Sequence, residues 1–357
     1  MYSILYYMMF NSKNVYHYLF AFSLVLVASY VGNKFKQNFI NDNGNDEYDL
    51  IKKYLLNDSP LYGFNKPKIW IHSKYEINAR KWKDFHSRNT TNLNQPYLHI
   101  TIQSIIDHCG DDFHVCLIDD ETFSKLIPSW DIDVSTLAEP MKTHVRELGL
   151  LQLIYYYGGM VVPDSFLCLK NLRELYNDGL FGGRPFVSES INRTSNLVEQ
   201  KQRLLFMPNV YFMGSNKNDD TILELIKYLK QRNQSPHFTS QNEFLGDTSQ
   251  WCIKAIRDQK MNLIGGENIG IKTTKRKQIV LENLMEEQYL DLDKNCYGIY
   301  IPADEVLKRT KYQWFAVLDK TEMMNSTIAI VKYMKSSMVD VNDEYYKSTT
   351  LKSVITL

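Results

Sequence analysis

Two kinds of apolar pattern alternate along this chain. Lys68 to His72 (KIWIH), introduced by Pro67, is a short β-branched and aromatic run and predicts a strand. From Gln95 to Cys109 the residues Leu98, Ile102, Ile105 and Ile106 fall on one helical face, and Gly110 ends the segment. His114 to Ile118 (HVCLI) predicts a second buried strand, after which Asp119 or Asp120 can cap a short helix running to Lys125. Lys142 to Tyr157 is a strongly apolar helix stopped by Gly158-Gly159, and Met160 to Val162 predicts a third strand. A loop then leads to a strand at Val210 to Met213. The helix from Asp219 to Arg232 follows, with Ile222, Leu225, Ile226 and Leu229 as its buried stripe. Beyond Gly270 the pattern loosens to a strand at Cys296 to Ile301 and helices near Lys311 and Thr327. Strands separated by helices of this length imply an α/β sheet with crossovers, with helices on both faces and a C-terminal α/β extension.

Ahead of this body, Val15 to Gly32 (VYHYLFAFSLVLVASYVG) is apolar apart from His17 and nearly reaches the ~20 residues that cross a bilayer as a helix. A retained single-pass membrane anchor is the expectation, with a cleaved signal peptide or a buried helix as alternatives. Its orientation stays open. Lys34, Lys36, Lys52 and Lys53 favour a cytoplasmic body, whereas sequons at Asn57, Asn89, Asn192, Asn233 and Asn325 suit a lumenal one. Residues 33–66 are mostly polar and read as a stem. The expected division is thus an anchor at 15–32, a stem at 33–66, a main α/β domain at 67–270 and an extension at 271–357.

Composition narrows the function classes. With 44% hydrophobic residues in 357, the body can bury a sizeable core. Lys+Arg and Asp+Glu balance at 41 each, which argues against a broadly cationic nucleic-acid binder. Five cysteines without a C-x-x-C argue against a zinc ribbon and a dense disulfide framework. No P-loop, G-x-S-x-G or H-E-x-x-H occurs. Asp131-Ile132-Asp133 and Asp291-Leu292-Asp293 read as turns and helix caps, and Cys116 as a core residue.

Open α/β sheets bind ligands outside the carboxyl ends of their strands. Here those ends are His72-Ser73, Asp119-Asp120 and Pro163-Asp164-Ser165, all polar. Asn78, Arg80 and Trp82 follow the first of them closely.

The segment Arg146 to Phe166 (RELGLLQLIYYYGGMVVPDSF) resembles the helix–Gly-Gly–strand–D-x-D core of glycosyltransferases with a GT-A fold. The likeness is to those with a DXD-type sugar-binding region and to the capsular-polysaccharide-synthesis type. KIWIH resembles their opening strand and HVCLIDDETF their second, so the similarity spans Pro67 to Leu229. Tyr297 to Pro302 resembles phrases in uncharacterised proteins of large DNA viruses.

The resemblance implies a nucleotide-sugar donor, a glycan or glycoprotein acceptor and a divalent cofactor, Mn²⁺ or Mg²⁺. It places Asp164 and Ser165 on the sugar or the metal, His72, Arg80, Asp119 and Asp120 on the nucleotide side, and Glu147 and Arg146 near the donor. Gly158 and Gly159 set the strand start, while Arg309, Lys311 and Trp314 close over the phosphates. The motif is degenerate, however: Pro163 and Ser165 replace the two aspartates, which argues against the metal. The reading is therefore a membrane-anchored glycosyltransferase, with an inactive protein of the same fold, acting as a membrane-tethered binding or structural component such as that of a virion, as the alternative.

Overall fold

The computed structural model describes residues 66–73, 95–139, 141–191, 205–234 and 241–338, with only the backbone described over 241–247. The run Val15 to Gly32, the stem residues before Lys66, and Asn78, Arg80 and Trp82 lie outside the described residues. One expectation is corrected at once. Among the described residues no helix is long and apolar enough to cross a membrane, so the structure does not give the expected single-pass membrane protein.

Strand β1 (Lys68–His72) lies between β2 (His114–Ile118) and β3 (Gly159–Val161) and is parallel to both. Its side chains alternate between the two faces, so Trp70 and His72 share one face while Ile69 and Ile71 take the other. Helix α1 (Tyr97–Cys109) connects β1 to β2. The short α2 (Thr122–Leu126) and the long α3 (Met141–Tyr157) then lead to β3 on the opposite side of β1. The chain thus moves one way from β1 and returns to its other flank, which creates a topological switch point between β1 and β3.

The two glycines before β3 make that return possible. Gly158 closes α3, its N–H bonding to the Ile154 carbonyl at 2.7 Å, and its φ is +70°. Gly159, at φ +96°, sits so close to β1 that a Cβ there would lie 2.2 Å from the Lys68 carbonyl oxygen. The Trp70 indole donates to the Gly158 carbonyl at 3.0 Å and locks helix end to strand.

Beyond β3 the structure corrects the predicted loop. It holds β4 (Phe166–Cys168), α4 (Arg173–Gly179) and β5 (Phe186–Ile191). Three residues are too few to show a period of two, which hid β4. A bulge between Val187 and Ser188 breaks the alternation of β5. The predicted strand at Val210 to Met213 extends to β6 (Phe206–Ser215), antiparallel to β3 and β5. Helix α5 (Asp220–Gln234) follows as expected. Next comes an unpredicted helix, α6 (Gln241–Arg257), so Asp247 sits on a helix and not in a loop. Strand β7 (Asn262–Ile264) ends the sheet, whose order is β2-β1-β3-β6-β5-β7.

Among the described residues, two apolar clusters fill the body. The first gathers Trp70, Val161, Met213, the stripe of α5 and the inner face of α3. The second joins Tyr97, Leu98 and Ile100 of α1 with the last third of the chain. That region contains α7 (Leu281–Met285), β8 (Gly298–Tyr300), α8 (Ala303–Lys308), α9 (Gln313–Ala316), α10 (Lys320–Asn325) and α11 (Ala329–Ser337). Strand β8 pairs antiparallel with β4, and residues of this region such as Ile301, Phe315 and Tyr333 are fully buried or nearly so. This pairing places the start of α8 beside the segment that follows β3.

Candidate functional site

At the carboxyl end of β1, His72 follows Trp70 onto the α3 side of the sheet. Its ring stacks on Phe123 of α2, centroids 5.4 Å apart and planes within 5°. Strand β2 ends on two aspartates with different fates. Asp119 accepts from the Thr122 N–H at 2.9 Å and from its hydroxyl at 2.6 Å, fixing the turn that leads into α2, whose N-cap is Glu121. Asp120 turns toward the switch point instead. His72 Nε2 bonds Asp120 Oδ1 at 2.9 Å, and the Arg146 fork grips both oxygens, Nε to Oδ1 at 2.9 Å and Nη2 to Oδ2 at 2.7 Å.

Arg146 is only 2% exposed, and Glu139 stands 3.9 Å from its Nη1. Burial by itself raises the Asp120 carboxyl, but the hydrogen bonds and charge of His72 and Arg146 override it and hold the group well below the usual carboxylate range. Asp120 is therefore ionised, and His72 Nε2 is the donor in their bond. Arg146, expected near the donor, is the cation of this cluster, its long side chain reaching from α3 to the end of β2.

On the other side of the switch point, β3 runs into Val162-Pro163-Asp164-Ser165. The Thr101 hydroxyl of α1 donates to the Asp164 carbonyl at 2.5 Å, and Ser165 accepts at its carbonyl from the Ile301 N–H at 3.1 Å. These bonds fix the backbone of the turn. Ser165 is 2% exposed. Tyr97 is buried, and its hydroxyl donates to Gln95 at 2.6 Å. Burial first, then the charges of Asp164 and Asp304, raise the Tyr97 phenol, so α8, which carries Asp304, lies within electrostatic reach of this turn. Glu147 is buried beside Arg146 in α3, and its charge raises both Tyr211 and Cys252, after the larger effect of burial on each.

The other predicted residues lie as follows. Arg309, at the end of α8, pairs with Glu282 and with Glu305, the latter at 3.5 Å, and sits over the Tyr312 ring. Lys311 lies 5.2 Å from the centroid of that ring, and Trp314 is 40% exposed against Phe315. Two D-x-D strings serve local turns: Asp133 accepts from the Ser135 N–H and hydroxyl, and Asp293 from the Asn295 N–H. Tyr211, on β6, was not singled out from the sequence, because a tyrosine in an apolar run carries no signal until the register is known.

The donor set after β3 does not fit a divalent ion held by carboxylates. Pro163 offers no side-chain ligand and Ser165 is enclosed. Among the described residues no three His, Cys, Asp or Glu side chains are placed to hold one ion.

His144 of α3 is 1% exposed, and burial pulls its imidazole down to about 3. The folded state binds this proton less readily than the unfolded one, so stability is complete above pH ~6.5 and falls as pH drops below it. His99 and His114 are lowered in the same direction, chiefly by burial. We expect urea midpoints to decrease below pH ~6.5, with His144 removing up to about 1.4 kcal/mol per pH unit. The variant His144→Asn should show a shallower slope between pH 7 and 5. An unchanged slope would refute the assignment.

No protein-family model matches the chain, and no curated protein matches it. Among solved structures it is similar to the PaToxG glycosyltransferase, at 12% identity and a TM-score of 0.32, over 65% of this chain and 81% of that one.

Proposed function

We propose that the chain is a glycosyltransferase-type protein that binds a nucleotide sugar at the β1–β3 switch point and transfers its hexose to a glycan or protein hydroxyl. One observation carries this reading. Three adjacent parallel strands lead at their carboxyl ends to His72, Asp120 and Asp164, and the chain reverses direction around β1 at that place, as it does in sheets that bind nucleotides. The resemblance of Arg146 to Phe166 to the helix–Gly-Gly–strand core adds the chemical class.

In this reading His72 and Asp120 line the nucleotide side, held rigid by Arg146, so the site is organised before the ligand arrives. Asp164, on a turn pinned by Thr101, faces the sugar. No step is routed through a metal ion, since the donor set does not fit one. Arg309 and Lys311 are the proposed phosphate cations, and Arg309 would exchange Glu282 for the ligand on binding.

The test is a thermal-shift and calorimetric titration with UDP, GDP, UDP-glucose, UDP-N-acetylglucosamine and GDP-mannose, with and without Mn²⁺. A ligand at 100 times its Kd is expected to stabilise the fold by about 2.7 kcal/mol. Asp164→Ala should abolish the shift. No response to any of these ligands would sink the reading.

Pro163 and the enclosed Ser165 favour a second reading, a protein that keeps the fold and binds without transfer. Binding accompanied by neither donor hydrolysis nor transfer to acceptors would select it.

A further inference from the structure

Helix α1 is fastened at successive points to the segment that follows β3. The Thr101 hydroxyl donates to the Asp164 carbonyl at 2.5 Å, and Ser104 Oγ accepts from the Cys168 N–H at 2.9 Å. At the last residue of the helix, Cys109 Sγ lies 3.9 Å from Sγ of Cys168, the last residue of β4. Both cysteines are fully buried and both are free thiols. Cys116 and Cys296 instead donate to carbonyls close by in sequence, those of His114 at 3.7 Å and Gly298 at 3.0 Å.

Two thiols in contact, 59 residues apart in the chain, are within reach of a covalent bond. A disulfide sets its sulfurs about 2.05 Å apart, so rotation about the two Cα–Cβ bonds has to close about 2 Å. The bonds at Thr101 and Ser104 already hold helix and strand together for it. Cys168 Sγ would give up its bond to the Lys170 carbonyl at 3.1 Å. Burial, and after it the neighbouring Cys109, raises the Cys168 thiol, so the folded pair exchanges slowly. The chemistry therefore belongs to molecules in which α1 and β4 have not yet closed over the sulfurs.

We propose that Cys109 and Cys168 form a disulfide as the chain folds, fastening α1 to β4 beside the turn of Asp164. The oxidant is a low-molecular-weight disulfide such as oxidised glutathione. One cysteine thiolate attacks a sulfur of that reagent, breaking its S–S bond and releasing one small thiolate. The second cysteine attacks the protein sulfur of the mixed disulfide, which forms the Cys109–Cys168 bond and releases the other. Two protein thiols are oxidised, one small disulfide is reduced, and the two protons end on the two small thiols. The inference stands independently of the nucleotide-sugar reading.

The experiment holds the full chain just below its urea midpoint, where molecules open and reclose, with reduced and oxidised glutathione or with dithiothreitol. Thiols are then counted in denaturant, and unreduced peptides are mapped by mass spectrometry. The glutathione sample should lose two of the five thiols and yield a peptide linked through Cys109 and Cys168. Once the reagents are removed, its urea midpoint should exceed that of the dithiothreitol sample, because the bond closes a long loop in the unfolded chain. Cys109→Ala and Cys168→Ala, treated in the same way, should each form no linked peptide. Five remaining thiols, glutathione adducts in place of the link, or a link through Cys116, Cys252 or Cys296 would overturn the proposal. So would a linked peptide in either variant, or a midpoint at or below that of the reduced chain.

Discussion

Replacing Asp120 with alanine is expected to cost about 3–5 kcal/mol of folding stability, the range for leaving a buried charge without its partner. Arg146 would keep its guanidinium at 2% exposure and lose the two bonds to Asp120, with Glu139 standing 3.9 Å away. The urea midpoint measures this directly. The double variant Asp120→Ala with Arg146→Met should be more stable than Asp120→Ala alone, because it removes the orphaned charge as well. A single variant within about 1 kcal/mol of the parent would show that the pair does not hold the strand ends together. The pH dependence has a fixed sign. The folded carboxyl titrates below its unfolded value, so its contribution is complete above pH ~4 and is lost as pH falls toward the folded value.

Gly159→Ala should be comparably damaging for a steric reason. A φ of +96° is strained for any L residue, and the new methyl would press on the Lys68 carbonyl oxygen at 2.2 Å. That atom belongs to the backbone of β1 and cannot rotate away, so β3 must move off β1. The combined cost is about 3 kcal/mol or more. Gly183→Ala is the matched control. Its φ is +73° but nothing lies within 4 Å of the added Cβ, so it should cost only about 1–2 kcal/mol. Equal midpoint losses for the two variants would argue that the close approach of β3 to β1 is not what Gly159 provides.

Much of the first half of the fold was legible because its apolar patterns are long or sharply bounded. The runs KIWIH and HVCLI became β1 and β2 with the predicted limits, and the helix before Gly158-Gly159 differed by one residue at its start. Elements were missed where the pattern is weak. Phe166 to Cys168 is a strand only because β8 pairs with it from more than 130 residues away, and no local signal encodes that. Helix α6 contains Gly246 and a polar first half, so its residues did not announce a helix. The single-pass membrane placement rested on residues 15–32, and the described residues supply no spanning helix in its support.

The candidate site divides in the same way. Sequence pointed to the three strand ends because polar residues after buried strands need a use. Which residues act together depended on geometry. Asp119 and Asp120 are neighbours of one type, yet one holds the turn at Thr122 and the other anchors Arg146, since successive side chains leave the strand end in different directions. Arg309 looked like a phosphate cation in the sequence, and its nearest carboxylates, Glu282 and Glu305, come from the fold around it.

The sequence by itself determined the alternation of strands and helices, the helix stop at Gly158-Gly159 and the absence of paired aspartates after β3. These are local properties, set by periodicity, backbone freedom and residue chemistry. Tertiary structure alone decided the strand order and the switch point beside β1. It also decided the seating of Arg146 on Asp120 and the pairing of β4 with β8. Each of those depends on which distant segments are brought into register, and register is fixed by burying both faces of the sheet at once, a condition that no single stretch of the chain expresses.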